Sequence, residues 1–285
     1  MKNYYLNIKG NLIDLTTPIV MGIVNITPDS FYRVSRKQSQ KEIIGRVQQI
    51  INEGGSIIDI GGQSTTPTST LQTVKEELAR IEPALSIIQS EFPDAILSID
   101  TFYSEVTKVA VEKYGVAIIN DISGGRIDEN MFDTVAQLNV PYILMHMRGT
   151  PQTMQQLTDY DNFIEDIIFY FSEKIAHLNS LGVNDIIVDP GFGFSKTLEQ
   201  NYELMAHIKY FHIFETPLLV GVSRKSMIYK LLETDIDGSL NGTTALNTYA
   251  LQSGANILRV HDVKEAVECV KLTKELNKYV SQQFI

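Results

Sequence analysis

The run Ile19-Val20-Met21-Gly22-Ile23-Val24-Asn25-Ile26 is apolar on consecutive residues and breaks only for an amide near its end. A second run of the same kind, Ser56-Ile57-Ile58-Asp59-Ile60, follows some thirty residues later. Consecutive apolar residues, rather than alternating ones, are what parallel strands covered on both faces require. Between the two runs, Ser39-Gln40-Lys41-Glu42 has the spacing of a capping box. It opens a stripe of Ile43, Ile44, Val47, Ile50 and Ile51 that Gly54-Gly55 closes, which reads as an amphipathic helix. Strand, helix and strand in that order form a parallel βαβ unit.

The unit repeats along the chain. Further apolar runs stand at Ala95–Asp100, Val116–Ile122, Pro141–Met147, Asp185–Asp189, Pro217–Ser223 and Asn256–His261, making eight in all. Thr73-Val74-Lys75-Glu76 repeats the capping box ahead of Leu78, Ile81, Leu85 and Ile88. A longer stripe through Phe163, Ile164, Ile167, Ile168, Phe171, Ile175 and Leu178 stops at Gly182, and a terminal helix is predicted over Val263–Phe284. Eight strands, each followed by helix-compatible sequence, predict an α/β chain folded as a (β/α)8 TIM barrel. An open doubly wound sheet is the alternative, but no Gly-x-Gly-x-x-Gly follows the first run. Tyr4–Leu15, with Lys9-Gly10-Asn11 at its centre, predicts a small β-hairpin capping the barrel bottom. The expected organisation is one domain over residues 1–285, with 1–17 as the hairpin cap.

Composition narrows the function classes. Hydrophobic residues make up 44% of the chain and charged residues 20%, enough for one large core and too apolar for disorder. A formal charge of −10 argues against nucleic acid or an anionic membrane as partner, so an anionic substrate needs a local positive feature. The single cysteine, Cys269, excludes an internal disulfide and a thiolate metal cluster, and reads as an inert packing residue. The five histidines are scattered and none forms a His-x-x-x-His pair, and no apolar stretch reaches membrane-spanning length. Met1-Lys2-Asn3-Tyr4 lacks the pattern of a secretory signal, and a cytoplasmic protein is expected.

Barrel chemistry sits at the C-terminal ends of the strands. Those ends present Asn25, Gly61-Gly62, Asp100, Asn120-Asp121, Met145-His146, Asp189, Ser223-Arg224-Lys225 and Arg259-Val260-His261. Any one Asp or Asn there is readily a turn former or helix cap. The whole set is not, because caps do not call for Lys225, Arg259 and His261. Arg224 and Lys225 precede a helix predicted over Lys225–Leu232; two cations there oppose the helix dipole and predict an anion or electron-rich ligand.

The same residues carry a resemblance. Met21-Gly22-Ile23-Val24-Asn25-Ile26-Thr27-Pro28-Asp29-Ser30-Phe31 and Ile58-Asp59-Ile60-Gly61-Gly62-Gln63-Ser64-Thr65 resemble the two signatures of the dihydropteroate synthase family. Ser98-Ile99-Asp100-Thr101, Asn120-Asp121-Ile122-Ser123-Gly124-Gly125, Met145-His146-Met147, Asp189-Pro190-Gly191-Phe192-Gly193-Phe194, Ser223-Arg224-Lys225-Ser226 and Arg259-Val260-His261-Asp262-Val263 follow in the family's order. The resemblance implies condensation of 6-hydroxymethyl-7,8-dihydropterin diphosphate with 4-aminobenzoate, giving 7,8-dihydropteroate and pyrophosphate for folate synthesis.

By that resemblance Asp100, Asn120, Met145, Asp189, Lys225 and Arg259 bind the pterin. Asn25, Ser64, Thr65, Arg259 and His261 bind the diphosphate, with Mg²⁺ on Asn25. Phe31, Pro67, Phe194 and Ser226 form the 4-aminobenzoate pocket, and Asp29, Asp100 and Lys225 serve catalysis. The family's members are usually homodimers. The sequence departs from the family in two loops: Tyr32-Arg33-Val34-Ser35 replaces Ser-Asp-Gly-Gly, while Gln63 and Thr66 replace a Glu and an Arg. Arg33 is expected to take over the missing arginine's hold on the diphosphate. Two competing readings are a pterin-binding barrel without synthase activity and a corrinoid-linked methyltransferase. Phe31, the Pro67 loop and Ser223-Arg224-Lys225-Ser226 favour the synthase.

Overall fold

The structure, a computed structural model, describes residues 4–26, 36–63 and 70–280. Two short strands, β1 (Tyr5–Ile8) and β2 (Asn11–Asp14), pair antiparallel with Ile8 opposite Asn11. Their two-residue turn puts Lys9 at φ 53° and Gly10 at φ 84°, the pair of positive angles that matches strand twist in a tight hairpin. The hairpin's Leu6 and Ile8, with Leu15, pack onto Met21, Ile57, Ile118, Ile143, Ile187 and Ile257 at one end of the barrel. The expected bottom cap is therefore present.

The barrel strands are β3 (Ile19–Asn25), β4 (Ile57–Gly61), β5 (Leu97–Asp100), β6 (Ile118–Asp121), β7 (Tyr142–Met145), β8 (Ile186–Asp189), β9 (Leu219–Val220) and β10 (Ile257–Val260). Each runs parallel to its neighbour in chain order, and β10 pairs with β3. The short β9 meets β8 through a Val188–Leu218 bridge, backed by the Val188 N–H donating to the Pro217 carbonyl at 2.9 Å. The sheet is thus nearly closed into the expected barrel.

Around it lie α1 (Arg36–Asn52), α2 (Val74–Glu91), α3 (Ser104–Tyr114), α4 (Met131–Leu138), α5 (Phe163–Ser180), α6 (Leu198–Ala206), α7 (Ser226–Leu231), α8 (Leu240–Gln252) and α9 (Val263–Val280). The periodic stripes face inward: Ile43, Val47 and Ile50 on α1, Ile81, Leu85 and Ile88 on α2, Ile167, Phe171 and Leu178 on α5 are buried. The Thr73 capping box forms as read, each partner accepting from the other's backbone N–H. The helix expected to open at Ser39 starts earlier: α1 begins at Arg36, which leaves Ser39 inside it. Good helix formers just upstream, Arg36, Lys37 and Gln38, allow that earlier start. Cys269 is buried on α9, in keeping with a packing role.

Candidate functional site

Parallel strands all point their C-terminal ends one way, so the residues ending each run gather at one rim. Asp59 on β4 and Arg259 on β10 are strands apart yet meet inside it: the Arg259 Nε and Nη2 each lie 2.7 Å from Asp59 Oδ2. Arg259 Nη2 also donates to Asp100 Oδ2 on β5 at 2.6 Å. The Asn120 amide on β6 donates to the same Asp59 oxygen at 3.1 Å. One guanidinium therefore serves two carboxylates. Burial, opposed by Arg259 and reinforced by Asp59, pushes Asp100 up to about 7. Arg259 is held above its ordinary value, since its two carboxylates outweigh the cost of burying it.

Asp121, next along from Asn120, turns out of the barrel. It accepts from the N–H groups of Ser123 and Gly125 and from the Tyr142 hydroxyl, each at 2.7 Å. It is a turn-former, and the plain reading of strand-end carboxylates holds for it. Asn120 and Asp121 thus divide one dipeptide between site and scaffold, as strand alternation demands.

On the far side of the rim, buried Asp189 ends β8 and accepts from the Gly191 N–H at 2.8 Å. Gly191 has φ +74°, and a Cβ there would lie 2.1 Å from the His146 carbonyl, so only glycine lets this loop lie against β7. The loop then presents the Phe192 carbonyl, which accepts from Lys225 Nζ at 2.5 Å, and the Phe194 ring, 4.8 Å from that nitrogen. Burial pulls Lys225 down to about 8, against the attraction of Asp189. Asp189 is itself raised by burial, with Lys225 the main opposing influence. Phe194 is half-buried against the cluster that includes Met145 and Met147, and the nearness of its ring to Lys225 makes it more than core. Asp100, Asn120, Met145, Asp189, Lys225 and Arg259 are thus gathered as the sequence predicted.

Asn25 ends β3, exposed at the rim. A Cβ on neighbouring Gly61 would lie 3.7 Å from Asp100 Oδ2 and 3.8 Å from Asn25 Oδ1, so both oxygens border one gap that glycine leaves open. His261 stands exposed at the rim after β10; desolvation by its neighbours, and then Arg259, lower it to about 4. Ser226 opens α7, half-buried beside Lys225. Asp29, Phe31, Arg33, Ser64, Thr65, Thr66 and Pro67 lie outside the described residues.

The predicted Arg224–Lys225 cation pair needs correction. Arg224 Nε and Nη2 donate to the two oxygens of Asp262, each at 2.8 Å, and Nη1 donates to the Ile236 carbonyl at 3.0 Å, so this guanidinium is committed to bracing the segments after β9 and β10. A φ of 53° at Arg224 turns it away from Lys225. Gln63, a departure from the family, gains a role: it donates to the Gln72 carbonyl at 3.1 Å and to Glu77 Oε2 at 2.6 Å, and accepts from the Gln72 N–H at 3.0 Å. A glutamate there would make neither donation and would set two carboxylates together.

Two buried polar residues of the site escaped sequence reading. Asp59 carried a signal, a carboxylate between Ile58 and Ile60 that must find a partner when buried. Lys196, in the loop after β8, carried none, because nothing in Phe194-Ser195-Lys196-Thr197 marks its amine as buried.

Comparisons with known proteins agree with this geometry. Residues 21–261 match the family described as pterin binding enzyme. The dihydropteroate synthase of Escherichia coli K12 is 41% identical over 268 residues, covering 93% of this chain and 94% of that protein. A Yersinia pestis dihydropteroate synthase solved with a sulfonamide drug superposes with a TM-score of 0.88 at 37% identity, covering 97% of this chain and all of that one. The Xanthomonas albilineans enzyme solved with 4-aminobenzoic acid gives a TM-score of 0.88 at 33% identity, covering 97% and 99%. With a match running from β3 to the end of β10 and relatives aligned over nearly their full length, the chain belongs to the pterin-binding enzyme family, among its dihydropteroate synthases.

Proposed function

We infer that this chain condenses 6-hydroxymethyl-7,8-dihydropterin diphosphate with 4-aminobenzoate, releasing pyrophosphate and forming 7,8-dihydropteroate. The observation that carries the reading is one partly buried rim that holds Asp189 and Lys225 on one side and Asp100, Asn120 and Arg259 on the other. A pterin presents N3–H and its 2-amino group as a guanidine-like donor edge, which the Asp189 carboxylate suits. Lys225 donates to the ring's acceptors, Met145 lines the pocket, and Arg259 offers a flat guanidinium to the ring face.

The reaction breaks the methylene C–O bond first, and the diphosphate leaves with the electron pair. Asp100, with Asp29 from the loop after β3, stabilises the positive charge left on the methylene carbon. The arylamine nitrogen then forms the new C–N bond and loses its proton to solvent, so no strong base is needed. Arg259, His261 and Asn25, with Ser64, Thr65 and Arg33, hold the leaving group. Phe194 and Ser226, with Phe31 and Pro67, hold the aminobenzoate.

The hard oxygens of Asn25 and Asp100 beside Gly61 fit Mg²⁺, and the described residues offer no cluster of three acidic, histidine or cysteine side chains that would cage a metal outright. Asn25 would hold the ion, whose chemistry there is neutralisation of charge on the diphosphate.

No described helix is long and apolar enough to cross a membrane. We place the protein in the cytoplasm as a homodimer. Leu272, Leu276 and Tyr279 on α9 and Tyr249 on α8, all exposed, support a second copy on that face. Binding order tests the functional reading: 4-aminobenzoate should titrate into the protein only when pterin and pyrophosphate are already present. Binding of 4-aminobenzoate to the unliganded protein with equal affinity would count against it.

A further inference from the structure

We propose that Lys196 is a positioning residue for the pterin end of the site, its buried amine holding the loop after β8 in the shape that cradles Lys225. The proposal rests on the pterin-binding role given to Lys225 above. Lys196 is 3% exposed, and its close neighbours are acceptors: the carbonyls of Gly191 and Phe194, each 2.9 Å from Nζ, and His146 Nδ1 at 3.1 Å. An amine is costly to bury unless its hydrogens are matched, and a residue that merely filled this space would be apolar. Here the loop folds round a polar point instead. The clasp ties the loop's first turn to the residue three further on, and both to the end of β7.

What lies between those two carbonyls gives the clasp its purpose. Phe192 supplies the carbonyl that accepts from Lys225 Nζ, and the Phe194 ring flanks the same nitrogen. Lys196 therefore grips the loop from behind, on either side of the place where Lys225 leans on it. Two carbonyl bonds need only two N–H groups, so the clasp forms with a charged or a neutral amine. In the first case His146 Nδ1 accepts; in the second it can donate to the amine's lone pair. Lys196 itself touches no substrate position and acts through Lys225.

A double-mutant cycle distinguishes this from a general contribution to folding. Dihydropterin diphosphate with Mg²⁺ is titrated calorimetrically into the wild type, Lys196→Met, Lys225→Ala and the double variant, with thermal melts recorded for each. Lys196→Met should weaken binding roughly 10- to 100-fold, the scale of a small misplacement in a site. The double variant should bind no more weakly than Lys225→Ala alone, within about twofold, because the two residues act as one unit. Losses that multiply, or a Lys196→Met protein that binds as the wild type does, overturn the proposal. Should Lys196→Met fail to fold, His146→Leu removes only the third partner, and its loss, about threefold, should vanish in the Lys225→Ala background. Persistence of that loss there overturns the proposal equally. A wild-type protein that ignores the dihydropterin would instead remove the functional reading on which the proposal stands.

Discussion

Arg259 reaches across the barrel mouth to Asp59, with both Nε and Nη2 2.7 Å from a single carboxylate oxygen. The other oxygen of Asp59 is buried and has no hydrogen-bond partner among the described residues. Asp59 is thus committed to holding two residues of the rim, Arg259 directly and Asn120 through its amide.

Asp59→Asn keeps the shape and removes the charge. Arg259 retains Asp100, so the cost falls below that of a fully orphaned buried ion, at about 2 kcal/mol. Calorimetric melting should show Tm lowered by about 4–8 °C. An unchanged Tm would mean the pair contributes nothing to the fold.

Asp189→Asn and Lys225→Ala should each weaken dihydropterin binding by about 10- to 150-fold, from charged hydrogen bonds worth roughly 1.5–3 kcal/mol. Lys225 is depressed to about 8, so in the unliganded protein its ammonium is lost as pH rises through that value. Affinity should therefore decline above pH 8. Titrations giving one Kd from pH 7 to 9.5 would contradict the assignment of Lys225.

Glu77 predicts a pH dependence of stability. Its carboxyl is buried beneath Gln63, and burial raises it from 4.5 to about 7. A carboxyl raised on folding favours the native state while protonated. Its contribution is full below about pH 4.5 and is lost as pH rises through about 7. Glu77→Gln should remove that loss, stabilising the protein at pH 8 by up to about 3 kcal/mol relative to its effect at pH 4.5. Denaturant melts of both proteins at the two pH values give the comparison. A stability difference independent of pH would show that Glu77 does not titrate in this window.

Activity should require Mg²⁺ and fall in Asn25→Ala, with excess Mg²⁺ recovering part of it. Full turnover by metal-free protein in EDTA would remove the ion from the account.

The barrel was legible because buried parallel strands write themselves as consecutive apolar runs, and Ile57–Gly61 or Ile186–Asp189 leave little else to be. The site was legible wherever a strand end named its own polar residue, as at Asp100, Asn120 and Asp189. It was not legible where partnership depends on three-dimensional neighbours. Arg224 reads as a ligand-facing cation until Asp262 is seen beside it. Lys196 carries no mark of burial in the sequence, and only the loop closing around it supplies its partners. Ser39 misleads for a local reason: the capping spacing is met by chance within a helix already under way.

Whether this barrel joins a dihydropterin to an arylamine is read from its products. Purified protein is given dihydropterin diphosphate, 4-aminobenzoate and Mg²⁺, and pyrophosphate and 7,8-dihydropteroate are quantified together. Both products are expected in equal amounts, with neither formed by Lys225→Ala at a comparable rate. Tight binding of the dihydropterin without release of pyrophosphate would contradict the synthase reading and leave a pterin-binding barrel that is not a synthase.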